Sequence, residues 1–150
     1  MKENYAIKTA ERQYLNIPRR IIIEELLDTE TGNLPIDYKF FCSRGKVICT
    51  LVYTGRGNNP EWIFVDDKYD DLNLFNDYSK GDYKITKPKS YNEMLKISSI
   101  LSKEFPFVRV DLYDVDGKPY FGELTFTPSG NYHYYLSEEA QKWIGERINL

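Results

Sequence analysis

The cleanest alternation of apolar and polar positions lies over residues 107–127. Over 107–113 the order Phe, Val, Arg, Val, Asp, Leu, Tyr sends Val108, Val110 and Leu112 to one side of an extended chain and Arg109 and Asp111 to the other. Over 119–127 the same period separates Phe121, Glu123, Thr125 and Thr127 from Tyr120, Gly122, Leu124 and Phe126. Asp116-Gly117 between the runs marks a turn, so the pair reads as a hairpin. A two-residue loop would set Asp111 opposite Gly122 and put Glu123 on the apolar face, where an isolated carboxylate is costly. The expected loop is therefore Val115-Asp116-Gly117, with Arg109 opposite Glu123 and Asp111 opposite Phe121.

Upstream, residues 4–14 are weakly helical in pattern, and Pro18 makes Ile17 extended. The β-branched run Ile21-Ile22-Ile23 predicts a strand over 19–27 buried on both faces. Further strands are expected over 37–42 and 46–53, joined at Ser43-Arg44-Gly45, and over 62–65. Residues 66–89, rich in Asp, Asn, Lys and Gly, read as a long surface excursion. Ser90 and Glu93 have capping-box spacing for a helix reaching about Glu104, with Met94, Ile97 and Leu101 as its buried stripe. Ser137 caps a last helix through Arg147, with Glu138 and Glu139 in its first turn. The fold class is α+β: one domain over 1–150, a mostly antiparallel sheet with two or three packing helices.

Composition narrows the function classes. Twenty basic against 23 acidic residues, with no long run of one sign, argue against nucleic acid as a partner. No stretch is long and apolar enough for a membrane span, and the start lacks a signal-peptide pattern, so a cytoplasmic location is expected. Cys42 and Cys49 fall in strand-like runs without partners at metal-ligand spacing and read as buried thiols. His133, the one histidine, sits in a tyrosine-rich run and reads as packing. Thirteen tyrosines suit a sheet lining a wet cleft and equally an ordinary β-rich core.

The hairpin carries the candidate chemistry. Arg109, Asp111 and Glu123 on one face could be a solvated cross-strand ion pair, or two acids sharing a hard cation beside an arginine. Phe107 and Phe121 on that same face make it a poor solvent face. Magnesium suits such a gap, since it takes one or two carboxylates and completes its shell with water and phosphate oxygens. Asp37 and Lys39 share a face with the same ambiguity, an exposed ion pair on an edge strand or an acid and a cation set to meet a nucleotide. Arg56 is a weaker candidate in the loop Gly55-Arg56-Gly57.

These residues also carry a resemblance. Arg109 and Asp111, then Tyr120-Phe121-Gly122-Glu123-Leu124-Thr125 and Pro128, look like the C-terminal signature of the ATP-grasp superfamily. With Pro18-Arg19, residues 22–27, 37–42 and 105–113, the chain is similar to the TupA-like ATP-grasp branch of bacterial teichuronopeptide and surface-polysaccharide synthesis. The resemblance implies an ATP-grasp large-lobe-like fold that uses ATP and Mg2+. It implies ligation of a small-molecule or glycan-linked carboxylate to an amine through an acylphosphate. By that likeness Asp111, Glu123 and Thr125 would hold the metal, and Arg109 would stabilise developing oxyanion charge. Glu24 and Leu26 would meet adenine, and Asp37 and Lys39 the ribose and phosphates.

Two departures accompany it. Thr125 stands where most of the superfamily has a metal-ligating Asn, and the first glycine is Gly32, which leaves no room upstream for the superfamily's glycine-rich loop and paired lysines. The expectation is a large lobe without its upstream lobe and N-terminal substrate domain, a fragment or split half completed by a longer parent or a partner chain, or else a non-catalytic binding module or a glycosyltransferase-associated protein of the same pathway. An uncovered apolar cleft side would then favour homo-oligomers.

Overall fold

Two tight turns organise the sheet. Arg44 and Gly45 have φ of 48° and 82°, and Asp116 and Gly117 have φ of 53° and 83°. Positive φ at both central residues is the backbone of a type I′ hairpin turn, which follows the right-handed twist of its strands. In this computed structural model residues 11–18, 20–30, 34–55, 59–79, 82–131 and 133–150 are described. The strands are β1 (Ile36–Ser43), β2 (Lys46–Thr54), β3 (Glu61–Val65), β4 (Val108–Val115) and β5 (Lys118–Thr125), and the helices are α1 (Tyr91–Ser102) and α2 (Glu138–Gly145). They form one antiparallel sheet in the order β3-β2-β1-β4-β5, so the fold is α+β as its sequence pattern implies.

The alternation of β1 and β4 gives the sheet two faces. Tyr38, Phe40, Val108, Val110 and Leu112 lie on the first and pack with Tyr91 and Met94 of α1. Each such side chain, fully buried, contributes about 1.5–3 kcal/mol. The second face is divided. Phe41, Cys49 and Phe64 pack with Ala140 and Ile144 of α2, while the Asp37 and Lys39 end of β1 is left to polar groups and a cleft. Both cysteines are buried free thiols, and burial pushes the Cys42 thiol up to about 12.

The hairpin register differs from the expected one. Val115 pairs with Lys118 across a two-residue Asp116-Gly117 loop, not a three-residue one. Asp116 tolerates the left-handed backbone that a type I′ turn needs, so the tighter turn wins. Glu123 escapes the apolar face because the ladder slips by one residue. Leu112 faces Phe121, but Asp111 faces Glu123, and Gly122 is the extra residue of a β-bulge. A Cβ on Gly122 would lie 3.0 Å from the Asp111 carbonyl oxygen and 3.0 Å from the Tyr113 ring, so the bulge has no room for a side chain. Phe121, set beside Leu112 on the α1 face and 59% exposed, is thereby removed from the charged face.

Three other expectations change. Ile21, Ile22 and Ile23 are 81%, 80% and 91% exposed and belong to no strand, because a doubly buried strand needs neighbours that the described residues do not supply. Ser90 caps nothing with its side chain, which donates instead to the Asp114 carboxylate, whereas Ser137 does accept the Ala140 amide at 3.0 Å. Residues 66–79 and 82–89 are irregular, yet Leu74 is buried and Phe75 packs with it on the second face. Residues 4–10, Arg19 and Arg56 lie outside the described residues.

Candidate functional site

Three neighbouring strands bring their polar residues to one row. Lys39 on β1 faces Asp111 on β4, and Asp111 faces Glu123 on β5; one row along, Phe41 faces Arg109 and Arg109 faces Thr125. Register partners share a face, so the side chains of Lys39, Asp111 and Glu123 emerge together at the middle of the sheet. The edge-strand alternative for Asp37 and Lys39 fails, because β1 is the central strand and Asp37 is fully buried.

Asp111 is the hub. Its Oδ1 accepts from Arg109 Nε at 2.7 Å, and its Oδ2 accepts from Arg109 Nη2 and Lys39 Nζ, each at 2.7 Å. Lys39 Nζ also lies 2.7 Å from Asp37 Oδ2. Arg109 Nη2 reaches on to Glu123 Oε1 at 3.3 Å and Thr125 Oγ1 at 3.1 Å, and the Thr125 hydroxyl donates to Glu123 at 3.1 Å. Burial disfavours the Arg109 charge, but the hydrogen bonds and charges of Asp111 and Glu123 more than offset this and hold its pKa above the ordinary guanidinium value. The Asp111 side chain is 2% exposed whereas that of Glu123 is 63% exposed, so the row runs from a buried acid to an open one.

The charged row offers few oxygen donors to a divalent metal. Among the described residues no cluster of three or more His, Cys, Asp or Glu exists, which rules out an all-protein cage there. Asp111 and Glu123, opposed across the ladder with the Thr125 hydroxyl beside them, do match what magnesium asks of a protein when phosphate oxygens and water complete its shell. Asp111 would have to give up a cation to serve as a ligand.

The sheet face continues into a cavity of about 320 Å³ whose lining includes Lys39 and Arg109 together with the rings of Tyr53, Trp62, Phe75 and Tyr135. Sequence reading did not single out these rings as site residues. They come from four separate segments, and only the high tyrosine content hinted at a lined cleft. His133 packs edge-on against Phe41 and meets the Tyr135 hydroxyl at 2.9 Å through Nδ1, in keeping with a packing role. Burial, then the Arg109 charge, lowers its pKa. Glu24 and Leu26 are exposed in the irregular stretch 20–30 and take no part in the hydrogen bonds of the charged row.

Comparison with known families supplies the context. The sequence profile described as TupA-like ATPgrasp matches residues 1–149. The chain belongs to the TupA-like ATP-grasp family. Neither the curated proteins nor the solved structures gave a match. ATP-grasp proteins generally use ATP and Mg2+, so in this TupA-like protein the charged row stands within a nucleotide-binding, ligase-like module. Among the described residues no helix is long and apolar enough to cross a membrane.

Proposed function

We propose that this chain is the ATP- and magnesium-binding half of a carboxylate–amine ligase working through an acylphosphate in bacterial surface-polysaccharide or teichuronopeptide synthesis. The observation that carries this reading is the row Lys39, Asp111, Glu123, with Arg109 and Thr125 hydrogen-bonded to it. Bound magnesium and ATP supply an activated phosphoryl group whose charge the metal neutralises. Asp111 and Glu123 hold the metal, with Thr125 beside them. Lys39 would serve the phosphates and Arg109 the developing oxyanion charge. Asp37 orients Lys39 and approaches the ribose. The Glu24 side chain or carbonyl meets the adenine amino group and the Leu26 backbone amide meets the ring, contacts that leave little trace in sequence.

In the same reading the domain spans 1–150, works in the cytoplasm and acts with a glycine-rich loop and paired lysines supplied by a partner chain or by a longer parent protein. The exposed run Ile21-Ile22-Ile23 and Leu26 provides apolar surface for such a partner or for self-association. A second reading, a nucleotide-binding or interaction module without catalysis, is favoured by one feature. Both oxygens of Asp111 are already held by cations.

Calorimetric titration with ATP, with and without magnesium, tests the proposal beside Asp111→Asn and Glu123→Gln. The expected result is magnesium-dependent binding that weakens about tenfold or more in each variant, since each loses a charge-assisted metal contact. Binding indifferent to magnesium, or unchanged in both variants, rejects the metal site. Magnesium-dependent binding without any phosphate release once a partner chain is supplied selects the second reading.

A further inference from the structure

We infer that the cavity beside the charged row receives a carboxylate borne on a six-membered ring, as in an aromatic acid or a sugar acid. The inference rests on the ligase reading in one respect, in that such a ligand would be its acceptor.

The cavity lining combines two kinds of side chain. Lys39 and Arg109 are part of it, whereas the carboxylates they hold, Asp37, Asp111 and Glu123, are not. An entering ligand therefore meets an ammonium and a guanidinium, and a carboxylate is an anion that both can share. The rings of the lining include Tyr53 and Trp62, cross-strand partners with ring centroids 6.1 Å apart and planes within 13° of parallel. Trp62 also packs on Phe75 and Tyr83, and its indole N–H donates to the Ser79 carbonyl at 3.2 Å, so what it presents to the cavity is apolar ring surface. Cations beside flat rings select a ligand that is anionic in one part and flat or ring-faced in another. A volume of about 320 Å³ stands at the low end of ligand cavities, suited to one substituted ring and small for a whole nucleotide.

Charge adds a coupling. Lys39 and Arg109 are shared among three acids, so a further anion gains little until a metal engages Asp111 and releases them. Ring-acid binding is thus expected to tighten when magnesium and a non-hydrolysable ATP analogue are present.

The test follows the two tryptophan indole cross-peaks in a proton–nitrogen NMR spectrum of the full chain. Benzoate, a hexuronic acid, acetate and benzyl alcohol are added separately. Trp143, stacked at 3.8 Å on Arg147 in the C-terminal region, is the internal control. The expected result is movement of the Trp62 signal with benzoate, the hexuronic acid or both, with acetate and benzyl alcohol about tenfold weaker. Whichever acid moves it identifies the source of the ring. Lys39→Met should raise the midpoint about tenfold by removing a charged donor. Tyr134→Ala, at a rim position 72% exposed whose loss spares the core, should raise it about threefold through lost ring contact. No movement with either ring acid, an equal response to acetate or benzyl alcohol, or unchanged midpoints in both variants overturns the assignment. Ring-acid binding by a chain that takes no magnesium nucleotide would leave the cavity assigned and sink the ligase reading; magnesium-nucleotide binding without any ring-acid response would do the reverse.

Discussion

Alternate residues of one strand, β4, build two interiors of opposite character. Val108, Val110 and Leu112 meet α1 in an apolar core, whereas Arg109 and Asp111, one residue away, are almost as deeply buried and fully charged. The apolar side stabilises the fold by simple removal of surface from water. The charged side contributes little net stability, since desolvating an ion pair offsets most of its Coulomb attraction. A chain under pressure for stability alone would place aliphatic residues on both sides of its central strands. Keeping Lys39, Arg109 and Asp111 at the centre of the sheet accords with the proposed ligand site.

Breaking each side separately sharpens the contrast. Asp111→Ala should cost about 3–5 kcal/mol in urea unfolding, because it removes the charge-assisted bonds that Lys39 and Arg109 share through Asp111 and leaves them only Asp37 and Glu123. Leu112→Ala should cost about 2–5 kcal/mol through a cavity on the opposite face. The two losses are similar, but only the first should abolish magnesium-dependent nucleotide binding in the surviving folded fraction. Loss of that binding in Leu112→Ala at full folding would show that the two faces are not separable.

Smaller effects probe how the faces are held in register. Gly122→Ala should cost about 1–3 kcal/mol, since its methyl group would press on the Asp111 carbonyl and the Tyr113 ring. It should also weaken nucleotide binding by shifting Glu123 against Asp111; a variant as stable and as active as the parent would mean the bulge is not what aligns the acids. His133 gives the smallest effect. The unfolded ring takes up a proton near its ordinary value of 6.5, while burial and then the Arg109 charge keep the folded ring neutral to lower pH. The unfolded state therefore binds more protons below about pH 6.5, and stability falls as the solution is acidified from there. His133→Asn should flatten that fall in denaturation midpoints measured across roughly pH 5–7.

The same contrast marks what could be read from the chain before its fold was known. The grouping within strands was legible, because a period of two sets Asp37 with Lys39, Arg109 with Asp111, and Glu123 with Thr125 whatever the loops do. Register was not. Alternation points to the right face for Glu123, but the expected three-residue loop is replaced by a type I′ turn with a bulge at Gly122, two features whose effects on facing cancel. Ile21-Ile22-Ile23 reads as a buried strand because β-branched runs favour sheets, yet propensity cannot supply the neighbouring strands. The aromatic cavity left no local pattern, since Tyr53, Trp62, Phe75 and Tyr135 meet only through the order of strands and the return of the chain across the second face.

The proposed function puts a metal-bound triphosphate over the Asp111–Glu123 row. Manganese, as a paramagnetic substitute for magnesium, reads position directly when added with ATP while backbone amide signals are followed by NMR. Binding over that row predicts that the amides of residues 110–112 and 122–125 broaden first, with those of α2 persisting. Broadening centred elsewhere, or the same pattern in Glu123→Gln, would contradict it.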